Sequence, residues 1–185
     1  MPTSPKRKVI VSLGISLDGY IARPNGGVDF LFIPKDFNMG EFIATCDVNI
    51  MGRKTLDVSL AMGGSFEGGD PSRNFVYSRT KPAGVSGGLT YTRKKPVDLV
   101  ASIRKEKGKN IWLMGGGEIV RQFLQADLVD ELMIGIVPTL IGGGIPLFPK
   151  GFPERKFALL DAKTYSKSLV VLRYKRSGTR RQDPG

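Results

Sequence analysis

The chain contains no histidine and only one cysteine, Cys46. A Ser-His-Asp triad and a Cys-His pair are therefore excluded, as is an internal disulfide. A histidine-ligated or multi-thiolate zinc site is excluded for the same reason. Carboxylates alone could hold a metal, but no clustered Asp/Glu motif occurs, so no metal is expected. No apolar run approaches the roughly 20 residues that cross a bilayer. The opening from Met1 to Lys8 is polar and basic, without the apolar segment of a secretory signal. A cytoplasmic protein with no membrane partner is the expectation. An enzyme this poor in catalytic side chains would take its chemistry from an organic cofactor.

What is present suits one domain with a real core: 185 residues, 41% apolar and 24% charged. Lysine and arginine total 28 against 17 acidic residues, a net charge of +11. Part of this charge is terminal. Lys6, Arg7 and Lys8 open the chain, and Lys175, Arg176, Arg180 and Arg181 close it. The organisation read from this is a basic extension over 1–8, one domain over 9–175 and a flexible basic tail over 176–185. No stacking aromatics are interleaved with these charges, so nucleic acid is not expected as a partner. A phosphorylated cofactor would also suit a basic pocket.

Strand-like and helix-like segments alternate, which predicts an α/β fold. Residues 9–14 (VIVSLG) form an apolar, β-branched run of buried-strand type. A short helix is expected over 36–46, a strand over 48–51 and a helix over 54–60. Strands follow over 74–78 and 89–92, with a turn-rich stretch at 82–88 between them. Pro96 suits a first helical position, with the helix running to about residue 107 and Gly108 as its stop. Residues 110–114 are a strong buried strand. In the helix expected over 118–126, Ile119, Val120, Phe123 and Leu124 share one face. A strand over 131–138 comes next. Segments 157–160, 163–165 and 169–174 then follow without helices, which predicts antiparallel strands at one edge of a mostly parallel sheet. The glycine-rich stretch 63–69 is expected to be a mobile loop.

Three strand-to-helix or strand-to-loop junctions carry chemistry. At Gly52-Arg53-Lys54-Thr55 a glycine turns the chain and two cations follow at a helix start. Free N–H groups and partial positive charge make such a start a phosphate site. At Ser78-Arg79-Thr80, hydroxyls and a guanidinium can hold a second phosphate. At Gly115-Gly116-Gly117, three glycines let the backbone approach a ligand closely. The candidate cofactor set runs on through Glu118 and Ile119 into the next helix. The dinucleotide fingerprint G-x-G-x-x-G is absent because Val120 replaces its last glycine, and no P-loop occurs. Phosphate sites at three successive strand ends describe a dinucleotide lying across the C-terminal edge of a sheet.

This order of motifs resembles the dihydrofolate reductase superfamily, from residue 9 to about residue 174. The later segment is similar to the riboflavin-biosynthesis reductase branch, the reductase domain of bifunctional deaminase-reductases. That segment comprises Leu128-Val129-Asp130-Glu131-Leu132, Pro138, Leu140-Ile141-Gly142-Gly143-Gly144 and Pro146-Leu147-Phe148. The resemblance implies a three-layer reductase fold and NADPH as cofactor. It implies that Ser16 to Ala22 form an active-site loop and that Gly14 and Ile21 touch the nicotinamide end. Gly52 to Thr55 match the adenosine-phosphate motif, Ser78 and Arg79 the second phosphate loop, and Gly115-Gly116 a pair joined by a cis peptide. It also implies a proton-handling carboxylate. Asp36 follows Pro34 and stands sixteen positions before Gly52, as the family pattern has it. The same Asp36 could instead cap a helix. Asp18 and Glu41 are the rival carboxylates. Burial beside Phe30, Leu31 and Phe37 would raise the Asp36 pKa and keep it protonated near neutrality.

Three positions depart from the family pattern. Gly135 stands where a threonine partners the carboxylate, Val120 where an aromatic is common, and Glu118 where some members carry a cation. The expected activity is NADPH-dependent reduction of a small heterocycle of pyrimidine-ribosylamine or pterin type. Dihydrofolate reduction and NADPH binding without turnover are the alternatives. A small-molecule substrate is the expected partner. The apolar stretch 136–148 makes a homodimer the second expectation.

Overall fold

The β-branched run near the start of the chain becomes the middle of a sheet. The protein, represented by a computed structural model, is described over residues 6–178. Its elements are β1 (Val9–Ser16), β2 (Tyr20–Ala22), α1 (Met39–Ile43), β3 (Cys46–Gly52), α2 (Arg53–Ala61), β4 (Asn74–Tyr77) and β5 (Gly84–Ser86). They continue with β6 (Leu89–Thr92), α3 (Pro96–Arg104), β7 (Asn110–Gly115), α4 (Gly117–Gln125), β8 (Glu131–Val137), β9 (Ile145–Pro146), β10 (Phe157–Tyr165) and β11 (Leu169–Arg176).

Nine strands form one sheet in the order β10-β11-β8-β1-β7-β3-β4-β6-β5. From β8 to β6 every neighbouring pair is parallel. β10 and β11 run antiparallel at one edge, as the helix-free end of the sequence predicts. The other edge also closes with an antiparallel strand, the short β5, inside the stretch read as a turn. Segments 157–160 and 163–165 are one strand, β10, with an irregularity between Leu159 and Asp161.

Alternation along β1 sorts the two faces. Val9, Val11 and Ile15 join the main core with Leu99, Val100 and Ile103 of α3 and Val120, Phe123 and Leu124 of α4. On the other face, Leu56 of α2 packs with Met51, Val76, Leu89 and Tyr91. There too, Phe42 of α1 meets Trp112 edge to face at 5.5 Å. Helices on both faces of a mostly parallel sheet make the three-layer α/β architecture. Among the described residues, no helix is long and apolar enough to cross a membrane.

Several boundaries differ from the sequence reading. α1 is five residues long, because Asn38, not Asp36, caps it through the Gly40 N–H. α3 ends at Arg104, well before Gly108. Gly108 serves another purpose: a Cβ there would lie 2.8 Å from Arg7 Cζ. Arg7, expected in a surface extension, is only 4% exposed. Its guanidinium pairs with Asp47 and donates to the Ile103 and Lys109 carbonyls at 3.1 and 2.8 Å. Lys8 likewise reaches buried Glu131 at 2.6 Å. At the other end Arg176 belongs to β11 and pairs with Asp127 at 2.7 Å. The domain therefore takes in residues assigned to both terminal segments. Arg180 and Arg181 of the expected tail lie outside the described residues.

Candidate active site

The three junctions read from the sequence end three neighbouring strands. β7, β3 and β4 lie side by side and parallel, so their C-terminal ends face the same way. Met51 is the register partner of Gly115, and Gly52 that of Tyr77. The Gly52, Ser78 and Gly115 turns therefore stand in a row along one edge. Tyr77 itself turns inward against Phe123, ring centroids 6.3 Å apart, and burial raises its phenol pKa.

Two helices open at this row. Gly52 is the N-cap of α2 and Gly116 that of α4, and neither helix has a side-chain cap. No side chain therefore takes up their first N–H groups. The Gly115-Gly116 peptide is cis, and Gly115 has φ +108°. Thr55 Oγ1 and Ile21 Cδ1 lie 3.5 and 3.6 Å from where a Gly116 Cβ would stand. Ile21 thus brings the 16–22 loop onto the glycine pair. Gly117 has a different reason to be glycine. A Cβ there would collide with the Pro146 carbonyl oxygen.

Charge at the row is mainly positive. Arg53 is half-exposed and pairs with Asp57 at 2.9 Å; Lys54 and Arg79 are exposed. Ser78 is buried, and its Oγ accepts from the Lys81 N–H at 2.9 Å and contacts Thr80 Oγ1 at 3.4 Å. It shapes the loop more than it presents a hydroxyl. Arg93, which carried no sequence signal, ties the same loop down. Its guanidinium donates to the Ser78, Arg79 and Lys81 carbonyls at 3.4, 3.1 and 3.4 Å. Glu118 is clamped by Arg121 at 2.6 and 2.9 Å. Arg121, then Gln122, and at longer range Arg79, hold its carboxyl down at about 2. Ile119, placed in the cofactor set by sequence, is buried in the main core, and its Cγ1 lies 3.3 Å from where a Gly52 Cβ would stand. Its N–H is taken by the Gly116 carbonyl at 3.0 Å.

The carboxylate expectations need correction. Asp36 is exposed and not protonated near neutrality. Its carboxylate accepts from the Ser166 hydroxyl at 2.6 Å and the Ser166 N–H at 2.8 Å. Those bonds hold its pKa below the ordinary 3.8. Phe30, Leu31 and Phe37 do form an apolar cluster with Val137, Leu169 and Val171, but Asp36 points away from it, to the β10–β11 turn. Asp18 is also exposed and held low. The Ser16 hydroxyl is the largest cause, helped by the Gly142 and Ile141 N–H groups at 2.8 and 3.2 Å. It fastens the active-site loop to the glycine-rich segment after β8. Glu41 lies exposed on α1, 3.5 Å from the Asn38 amide. Among the described residues, no group of three or more Cys, Asp or Glu could hold a metal.

Beyond Gly14 the loop and sheet enclose a second feature. Gly14 is the register partner of Gly135 on β8, and Leu31 Cδ2 lies 3.2 Å from where a Gly14 Cβ would stand. An apolar groove lies here between residues 32–39 and the strands β1, β8 and β11.

Comparison with known proteins gives this arrangement a context. YwjB of Bacillus subtilis (strain 168), an uncharacterised protein, is 31% identical over 93% of this chain and 99% of its own length. A crystal structure from Shewanella sp. PV-4, provisionally named a riboflavin biosynthesis protein, is 32% identical with TM-score 0.76, covering 92% of this chain and 99% of that one. The Thermotoga maritima diaminohydroxyphosphoribosylaminopyrimidine deaminase/5-amino-6-(5-phosphoribosylamino)uracil reductase shares the fold at TM-score 0.69 and 12% identity. That match covers 93% of this chain and 57% of the longer enzyme. The RibD C-terminal domain family matches residues 7–171. With its parallel strand ends, paired glycine-capped helices and antiparallel last strands, this chain belongs to the RibD C-terminal domain family.

Proposed function

We propose that the protein is an NADPH-dependent reductase of a small heterocycle of pyrimidine or pterin type. One observation carries this reading: the uncapped N-termini of α2 and α4 open side by side, beside Arg53, Lys54 and Arg79. Such a cradle fits a dinucleotide phosphate chain. Family membership supports the reductase role. In this reading α4 and the Gly115-Gly116 turn take the pyrophosphate. Arg53, Lys54 and the Arg79 loop take the adenosine end with its 2′-phosphate. Gly14 and Ile21 border the nicotinamide. The reduced nicotinamide supplies the hydride. The protein's own residues hold the acceptor carbon in place and exclude water from one face. Asp36 and Asp18 are ionised at neutral pH and position loops, so the proton comes from solvent.

Fluorescence titration with NADPH and NADH tests the reading. Micromolar or tighter binding with an NADPH preference is the expected result. Binding of neither cofactor defeats it. A homodimer is part of the proposal, because Leu140 and Phe148 expose apolar surface after β8. A purely monomeric species in analytical ultracentrifugation would remove that part.

A further inference from the structure

The loop between β1 and β2 is tied along its length to the glycine-rich segment 139–147. The Leu17 N–H donates to the Thr139 carbonyl at 2.8 Å, and the Leu147 N–H donates to the Gly19 carbonyl at 3.1 Å. Tyr20 and Ala22 pair with Pro146 and Ile145 in the β2–β9 ribbon. A Cβ on Gly144 would collide with the Ala22 carbonyl oxygen. Asp18 closes the middle of this seam. Its carboxylate accepts from the Gly142 N–H at 2.8 Å and the Ile141 N–H at 3.2 Å, across 124 and 123 positions of chain. Gly142 has φ +72°. A left-handed residue in a turn points successive N–H groups to one side, which suits an anion. The fully buried Ser16 braces the same carboxylate: its hydroxyl donates to Asp18 and accepts from the Tyr20 N–H at 3.0 Å.

The same segment meets α4. Gly117, the first residue of α4, lies against the Pro146 carbonyl, and Leu147 is 1% exposed in the main core. Ile21 Cδ1 completes the circuit, 3.6 Å from where a Gly116 Cβ would stand. We propose that segment 139–147 is a strap joining the 16–22 loop and the start of α4 into one body, and that Asp18 is the positioning residue that closes it. The β2–β9 ribbon alone is too short to do this, because β9 has two residues. Bonds from two N–H groups to a carboxylate are charge-assisted and fix the register of the seam. What the strap does for a ligand rests on the reductase reading above. It sets the nicotinamide and pyrophosphate seats, which Ile21 and the Gly116 turn border. The adenosine seat is separate, because Arg53, Lys54 and Arg79 are carried by the ends of β3 and β4. Asp18 acts through the placing of Ile21 and Gly116, not by contact with a reacting atom.

Amide exchange and ligand titration on the full chain test this together. Asp18 is exposed, so the fold should tolerate Asp18→Ala. The amides of Leu17, Ile141, Gly142 and Leu147 are expected to exchange at least about tenfold faster in this variant, and as one group, because a single opening exposes them all. Gly144→Ala pushes on the far end of the seam and is expected to speed the same set. Faster exchange confined to Ile141 and Gly142 would overturn the strap and leave Asp18 a local cap. In titrations, both variants are expected to bind NADPH about three- to tenfold more weakly than the wild type. Adenosine 2′,5′-bisphosphate, which lacks the nicotinamide and the pyrophosphate, is expected to bind all three proteins equally. An equal loss of both ligands, or a loss of neither, would overturn the positioning role. A wild-type chain that does not bind NADPH would refute the reductase reading, while the exchange pattern would still decide the strap.

Discussion

Gly52 and Gly116, the caps of two different helices, lie so close that a side chain on Gly52 would meet the Gly116 backbone. A methyl group built on Gly52 would lie 3.7 Å from the Gly116 nitrogen and 3.3 Å from Ile119 Cγ1. The partial positive charges of α2 and α4 therefore act on one space; α2 has no acidic residue in its first turn, and the one in α4, Glu118, is held by Arg121.

Arg53→Ala is expected to weaken NADPH binding by about 1–3 kcal/mol, the worth of a charge-assisted hydrogen bond. The competing Arg53–Asp57 pair is solvent-exposed and contributes under about 1 kcal/mol. Calorimetric titration of both proteins checks this. Equal affinities would take Arg53 out of the site.

Arg93→Ala is expected to lower the preference for NADPH over NADH by about 0.5–1.5 kcal/mol, because the three loop carbonyls lose their shared donor. The ratio of the two dissociation constants is the readout. An unchanged ratio would mean that Ser78 alone holds the loop.

The Asp36 carboxyl is held below its ordinary 3.8 by the Ser166 hydroxyl and then the Ser166 N–H. A depressed folded value makes the tether complete above that pH. The tether is lost as the pH falls below 3.8 and through the folded value. Amide exchange at Ser166, followed into the acid range, should report that loss. Asp36→Asn should speed the same exchange at neutral pH and leave NADPH affinity unchanged. A large fall in turnover with an unmoved Ser166 amide would return Asp36 to a proton-handling role.

Arg7→Met is expected to destabilise the fold by about 1–3 kcal/mol, since Asp47 and two carbonyls lose a charged donor. Thermal denaturation measures it. A melting temperature equal to that of the wild type would place Arg7 with the solvated surface charges.

The parts legible in the sequence are those written locally. A β-branched run, then a glycine, then a helix start is a contiguous pattern, and it located all three junctions and most strand positions. Local pattern also separated the parallel middle of the sheet from its antiparallel end. Asp36 shows where this stops. Spacing and apolar neighbours suggested a buried acid, but its partner Ser166 is 130 positions away, and only the β10–β11 turn brings them together. Arg93 was missed because its acceptors are backbone carbonyls, which no residue type announces. Ile119 was legible both as a core residue of its helix and as a neighbour of the glycine turn, and it joins the core while abutting Gly52.

By itself, then, the sequence determined the α/β class, the glycine turns and the basic row, because each depends on neighbours along the chain. Tertiary structure alone decided which carboxylates are occupied, why Gly117 must clear Pro146 and how Leu31 and Leu169 come to cover the paired Gly14 and Gly135. Those depend on the register of strands distant in sequence, and register is settled only when the whole sheet packs.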